Sequence, residues 1–207
     1  MIAIVDYGMG NLRSVQKGLE KAGAQEVAIV SHPDALKNAQ KIVLPGVGAF
    51  KDAITELEIR NLISPIKDFI MKGNPFLGIC LGLQIIFTES EEGGLHQGLD
   101  IIKGRVRRLP GGDGIKVPHI GWNSIKKRSD RIIKGCPLLA DVPDNSYFYF
   151  DHSYYVDPVD NKVIATETDY GVGFASMIWK DNIYATQFHP EKSQKLGLKI
   201  LENFVRL

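Results

Sequence analysis

Long apolar runs are missing from this 207-residue chain. A membrane-crossing helix needs about 20 predominantly apolar residues in succession, and no such stretch occurs. Cysteine is scarce. Cys80 and Cys136 are the only two, too few for the disulfide framework of a small secreted domain and suited to a reducing compartment. No Cys-x-x-Cys or His-x-x-x-His spacing exists, so no metal site is indicated and no cofactor is expected. Charge of one sign is lacking too. Lys and Arg number 25 against 24 Asp and Glu, a net charge of +1, which gives no basic field for nucleic acid and no acidic tail. The opening Met1-Ile2-Ala3-Ile4-Val5-Asp6 has no basic n-region and is too short for a signal peptide. With 44% hydrophobic and 24% charged residues, the expectation is one cytoplasmic globular domain over residues 1–207.

What is present is a regular alternation over the first 90 residues. Apolar runs at residues 2–5, 27–30, 42–44 and 76–79 read as strands covered on both faces. Between them lie helical patterns. Leu12, Val15, Leu19 and Ala22 follow Asn11, which stands where an N-cap belongs. Pro33 suits a first helical turn. Residues 49–72 are helical in spacing and interrupted at Ser64-Pro65. The order βαβαβαβα predicts a parallel sheet with helices on both faces. Gly8 and Gly10 after the first strand suggest a dinucleotide loop, but Arg13 occupies the place of the third glycine, which favours a plain βα turn.

Beyond the acidic segment 89–94, strand-like runs dominate: 104–109, 120–126, 147–156, 162–168, 174–179 and 183–187. Residues 110–114 and 181–182 read as turns. Ser193 is placed to cap a last helix with Leu196, Ile200, Leu201, Phe204 and Val205 on one face. The expected fold is therefore α/β: a flavodoxin-like, mixed but largely parallel sheet with flanking helices and an antiparallel strand extension.

The stretch Gly78-Ile79-Cys80-Leu81-Gly82 ends the fourth predicted strand, and the run 83–87 behind it continues as a helix. This is the pattern of a nucleophile elbow with cysteine in place of serine. Its glycines allow a sharp turn, and a helix N-terminus favours the thiolate. A buried apolar cysteine has the same local pattern, so the remaining parts of a thiol site have to be found elsewhere. Among five histidines, His32 reads as a surface residue, His96 as solvated and His119 as a local hydrogen-bonding group. His152 is a second candidate for the base. His189 is the first, because Pro190 ends its strand and Glu191 lies within reach of its ring. Gln187 shares a strand face with His189. Oxyanion donors would be the amide of Leu81 and that of Val47, in the loop Pro45-Gly46-Val47-Gly48, where flanking glycines leave the peptide free to rotate.

Taken together, Pro45-Gly46-Val47-Gly48, Gly78-Ile79-Cys80-Leu81-Gly82-Leu83-Gln84 and Gln187-Phe188-His189-Pro190-Glu191-Lys192-Ser193 resemble the class I (triad) glutamine amidotransferases. Asp6-Tyr7-Gly8-Met9-Gly10-Asn11-Leu12, Pro118-His119-Ile120-Gly121-Trp122-Asn123 and residues 147–154 are similar to the free-standing glutaminase subunits of histidine biosynthesis. The resemblance implies Cys80 as nucleophile, His189 as acid and base, and Glu191 as its orienting group. It also implies an oxyanion hole at Val47 and Leu81, and a glutamine pocket of Gly48, Gln84, Glu92, Ser153 and Tyr154. Asn11, Trp122 and Lys192 would face a (β/α)₈-barrel cyclase that receives the ammonia and forms imidazole glycerol phosphate and an aminoimidazole carboxamide ribonucleotide. Asp151 departs from the family, which commonly has valine there. That carboxylate is either solvated or the mark of a paralogue serving another synthase, such as one amidating a surface sugar. A stand-alone thiol hydrolase is the third reading.

Overall fold

The computed structural model describes residues 1–112, 114–128 and 135–207. The first strands and helices are β1 (Ile2–Val5), α1 (Leu12–Lys21), β2 (Val27–Val30), α2 (Pro33–Leu36), β3 (Lys41–Gly46), α3 (Phe50–Ile59), α4 (Ile63–Met71), β4 (Phe76–Cys80) and α5 (Leu81–Gln84). Then come β5 (Phe87–Ser90), β6 (His96–Gln97), β7 (Ile102–Arg108), β8 (His119–Lys127), β9 (Ser146–His152), β10 (Tyr154–Pro158), β11 (Ile164–Asp169), β12 (Gly173–Lys180), β13 (Ile183–Thr186) and α6 (Gln194–Arg206).

The strand order β2-β1-β3-β4-β13 is parallel throughout. Beyond β13 the sheet continues through β12, β10 and β7 in antiparallel pairs, with β5 returning parallel to β7. A branch β11-β8-β9 leaves at β12. This is the expected mixed α/β sheet with its antiparallel extension. Alternation divides the apolar residues of β1 between two cores. Ala3 and Val5 pack with Phe50, Ala53 and Leu57 of α3 and with Ile66, Phe69 and Ile70 of α4. Ile2 and Ile4 pack with Val15 and Leu19 of α1 and with Ile200, Leu201 and Phe204 of α6. No helix among the described residues is long and apolar enough to cross a membrane.

Several boundaries differ from expectation. The interruption in residues 49–72 falls at Asn61, in left-handed conformation at φ 55°, while Pro65 sits inside the first turn of α4. A proline needs no amide donor there. The helix behind Cys80 is one turn long, and Phe87 of the predicted helix begins β5, which also takes Glu89 and Ser90 out of the expected loop. His96, read as solvated in that loop, is half-buried and paired in β6. The run 147–156 is two strands broken at Ser153, because β9 pairs with β8 whereas β10 pairs with β7 and β12. Gln187 lies outside β13. The predicted turn at 110–114 includes Asp113, which lies outside the described residues.

One close approach holds the elbow to the sheet. A Cβ on Gly82 would fall inside the carbonyl oxygen of Leu44 on β3, and backbone there has no side-chain freedom with which to yield. Gly82→Ala is expected to destabilise the protein by about 3 kcal/mol or more, read as a lowered urea midpoint. An unchanged midpoint would show that α5 is not seated on β3.

Candidate active site

The parallel core brings three strand ends to one edge, and the site is built on them. Cys80 is the last residue of β4, with φ 54° and ψ −106°. That conformation is outside the ordinary regions for an L-residue and costs on the order of 1–3 kcal/mol. The strain therefore sits on the cysteine and not on its glycines. Gly78 and Gly82 supply space instead, since a Cβ on Gly78 would lie 2.7 Å from the carbonyl oxygen of Gly82.

Gly46 pairs with Cys80 across β3 and β4, which sets Val47 just past the elbow. A Cβ on Gly46 would lie 3.0 Å from Cβ of Leu81 and would overlap the Tyr7 hydroxyl. The loop and the elbow are thus in contact, with Val47 43% exposed and Gly48 at φ 101°. Tyr7 is fully buried beneath them, and its hydroxyl has no partner among the described residues. Burial, with Cys80 close by, pushes that phenol further up from its ordinary range.

His189 follows β13, the strand beside β4. Its Nδ1 lies 2.8 Å from Oε1 of Glu191, and the two side chains are 4% and 2% exposed. Nε2 makes no hydrogen bond among the described residues. Burial opposes charge on this ring, but Cys80 and Glu191 outweigh it and raise the pKa to about 10. Because Nε2 is unbonded, we read the effect of Cys80 as proximity of charge and not as a formed bond. An imidazolium in that place is the counter-charge a thiolate requires.

Ser193 stands at the start of α6 but does not cap it with its side chain. Its Oγ donates to the His189 carbonyl at 2.6 Å and accepts from the Tyr149 amide at 3.0 Å. The His189 amide in turn donates to the Tyr149 carbonyl at 2.9 Å. The histidine backbone is thereby clamped between β9 and α6. Gly18 of α1 lets that helix close on α6, because a Cβ there would lie 2.8 Å from Cδ1 of Leu201, and the Glu191 loop packs beside it at an ordinary 3.5 Å.

A cavity of about 260 Å³ opens at Cys80 and is lined by Val47, Gly48, Leu81, Gln84, Glu92, Ser153 and Tyr154. All the residues expected in the pocket are therefore brought together. Glu92 accepts from the Phe50 amide at 2.8 Å through Oε2, serving the N-terminus of α3, whose N-cap Ala49 has no side-chain acceptor. Gln84 donates from Nε2 to the Tyr154 carbonyl at 2.9 Å and to Oε1 of Gln187 at 3.2 Å. Gln187 donates to the Cys80 sulfur at 3.6 Å, a contact that sequence reasoning missed. Its position two residues before His189 was the available signal, although neither residue lies within β13. Asp151 lines the cavity with an exposed side chain, and its carbonyl accepts from the thiol at 3.7 Å.

Of the other expected residues, Trp122 is 46% exposed and meets Tyr149 edge-on, with centroids 6.2 Å apart. Lys192 Nζ lies 5.4 Å from the centre of the Tyr149 ring. These two belong to one surface patch. Asn11 is exposed at the start of α1, where its side chain accepts from the Ser14 amide at 3.2 Å. His32 is exposed, whereas His119 and His152 are both buried.

Those last two rings titrate far below their usual range. Burial lowers His119 to about 4 and His152 to about 3, the latter despite a backbone hydrogen bond that favours its charge. Below pH 6.5 the unfolded chain gains protons that these rings refuse, so stability is lost as pH falls from there towards 4 and 3. His189 has the opposite sign. Its contribution is complete below pH 6.5 and declines as pH rises towards 10. The unfolding free energy from urea titration is expected to peak near pH 6.5, dropping by on the order of 2 kcal/mol per buried neutral histidine at pH 4.5. A flat profile between pH 4.5 and 7 would contradict the neutral pair.

Residues 3–207 match the family model described as glutamine amidotransferase class-I. The imidazole glycerol phosphate synthase subunit HisH of Geobacter sulfurreducens is 54% identical over 210 residues, covering 98% of this chain and 97% of that protein. The Aquifex aeolicus protein of the same name is 53% identical over 205 residues, with 98% and 95% covered. Among solved structures, one described as a glutamine amidotransferase superposes with a TM-score of 0.76 at 13% identity, covering all of both chains. A chain of PurLQS from Thermotoga maritima gives 0.74 at 17% identity, covering 99% of this chain and 97% of that one. At such identities these two likenesses speak for the fold alone. The family model spans nearly the whole chain and the two HisH proteins share more than half of its residues, and on that footing the chain belongs to the class I glutamine amidotransferases.

Proposed function

We propose that this chain is the glutaminase subunit of an imidazole glycerol phosphate synthase, one class I domain over residues 1–207 that works in the cytoplasm. The observation that carries the chemistry is the placement of Cys80 at the end of β4 and of the His189–Glu191 pair just past the end of the adjacent β13, beside a cavity sized for a free amino acid. In this reading the Cys80 sulfur bonds to the side-chain carbonyl carbon of glutamine. The C–N bond breaks, and ammonia leaves with a proton from His189. Water, deprotonated by His189, then attacks the thioester and releases glutamate and the thiol. Glu191 holds the imidazole in the tautomer with its proton on Nδ1 and supports its charge. The amides of Val47 and Leu81 receive the oxyanion, worth about 10²–10³ in rate per donor. Gly48, Gln84, Glu92, Ser153 and Tyr154 form the glutamine pocket.

The patch containing Trp122 and Lys192, with Asn11 beyond it, is the docking face for a (β/α)₈-barrel cyclase that consumes the ammonia. The two bacterial relatives are named as subunits of an imidazole glycerol phosphate synthase, which supports a synthase partner and the histidine pathway. The test is glutamate release by the purified chain, alone and mixed with the cyclase and its nucleotide substrate. Release that rises on mixing supports the reading. Equal release in both states would make the chain a stand-alone thiol hydrolase.

A further inference from the structure

Two histidines outside the Cys80 group are buried against each other. His119 opens β8 and His152 closes β9, and the ladder pairs them directly. Nδ1 of His119 lies 3.0 Å from Nε2 of His152. Nδ1 of His152 lies 2.8 Å from the Tyr154 carbonyl, and Nε2 of His119 lies 3.4 Å from Nδ2 of Asn123.

The direction of this chain can be worked out from its ends. A carbonyl only accepts, so His152 carries its proton on Nδ1 and presents a bare Nε2. His119 must then donate from Nδ1, which leaves its own Nε2 bare. The Asn123 amide is oriented by two further bonds. Its Oδ1 accepts from the Ser124 amide at 2.8 Å, and its Nδ2 donates to the Asp169 carbonyl at 2.9 Å. The nitrogen therefore faces His119, and every link runs the same way. Burial keeps both rings neutral, as the direction requires.

The far end of the chain is the cavity. The Tyr154 carbonyl that accepts from His152 also accepts from the Gln84 amide, and His152, Ser153 and Tyr154 line the same cavity as Cys80. The near end is Asn123, next to exposed Trp122. We propose that His119 and His152 are positioning residues for glutamine: the one-way chain Asn123–His119–His152 fixes the Tyr154 carbonyl, and with it the Ser153–Tyr154 edge on which the substrate is seated. This rests on the glutaminase reading above. It explains why two imidazoles are kept inside the protein without touching the reacting atoms.

His119→Phe is the discriminating variant. It keeps the stacking on Phe150 and Tyr170, with centroids at 4.9 and 3.9 Å, and removes both nitrogens. In the complex with the synthase partner, KM for glutamine is expected to rise about tenfold, while kcat stays within about threefold. His119→Asn, whose amide nitrogen can stand near Nδ1 and donate to His152, is expected to recover most of the affinity. A wild-type KM in folded His119→Phe overturns the proposal, as does an equal loss in the Asn variant.

Ring ¹⁵N spectra of the wild-type chain test the same chain without any assay and without a folded variant. Nδ1–H tautomers at both His119 and His152 support it, and an Nε2–H tautomer at either ring overturns it. Glutamine turnover that is absent from the wild-type complex would instead overturn the glutaminase reading, and the spectra would still decide the chain.

Discussion

Cys80→Ala is expected to abolish glutamine turnover, with a loss of at least about 10⁴-fold in kcat. The fold should survive, because alanine is smaller than the 6%-exposed side chain it replaces and leaves the backbone path of β4 unchanged. The expected cost in stability is about 1 kcal/mol. Two measurements check this. Glutamate release by the variant with its partner should fall to background. Intact mass after treatment with a glutamine-mimicking electrophile should show one adduct on the wild type and none on the variant. Cys136 is 6% exposed and equally buried, but it lies among the apolar residues of the α6 face, away from the cavity at Cys80, so it should remain unlabelled. Partner-stimulated turnover in Cys80→Ala would remove the thiol from the mechanism altogether.

Glu191→Gln carries the second large effect. The carboxylate accepts the Nδ1 proton at 2.8 Å and, after Cys80, is the group that favours charge on His189. An amide of the same size keeps the packing and loses the charge. It can also turn its NH₂ towards Nδ1, which forces the proton onto Nε2, where it faces Cys80 and blocks proton transfer from the thiol. Turnover is expected to fall roughly 10²–10⁴-fold. The signature that separates this from a packing defect is the pH profile. The charged imidazole should give way at lower pH than in the wild type, since one of the two influences raising its pKa is gone. A full wild-type rate in Glu191→Gln would reduce the carboxylate to a structural role.

Much of this was readable in the chain. Apolar runs separated by helical spacing announced the parallel half, and Cys80 with His189 and Glu191 stood out because each residue type needs the others chemically. What could not be read had physical causes. Residues 147–156 contain no Gly or Pro, so no turn residue marks the place where Ser153 passes from one ladder to another. Leu83, Ile85, Ile86 and Phe87 are all fully buried, and a run without a polar face has no period to distinguish a helix from the start of β5. Asn61 could have marked the end of α3, because asparagine tolerates the left-handed C-terminal position, but the nearby proline drew the boundary instead. Ser193 kept the identity of a cap while its hydroxyl served the His189 carbonyl and the Tyr149 amide, the second a partner visible only once β9 is in place. Glu92 lines the cavity at Cys80, but its bond to the Phe50 amide joins residues with no local relation. Gln187 likewise reaches a cysteine 107 positions earlier in the chain.

The placement of β13 bears on how this protein is made. It is the last strand in sequence, yet it sits in mid-sheet between β4 and β12. A nascent chain emerging from the ribosome exposes Cys80 long before His189, its proposed base, exists, so under the proposed mechanism an incomplete chain carries an inert thiol. Until residues 183–186 insert, β4 is an open edge with unpaired amides and carbonyls, which is the form most prone to pair with a neighbour. Insertion closes that edge and delivers His189 in the same event. Under the proposed mechanism, release of ammonia is thereby tied to completion of the sheet.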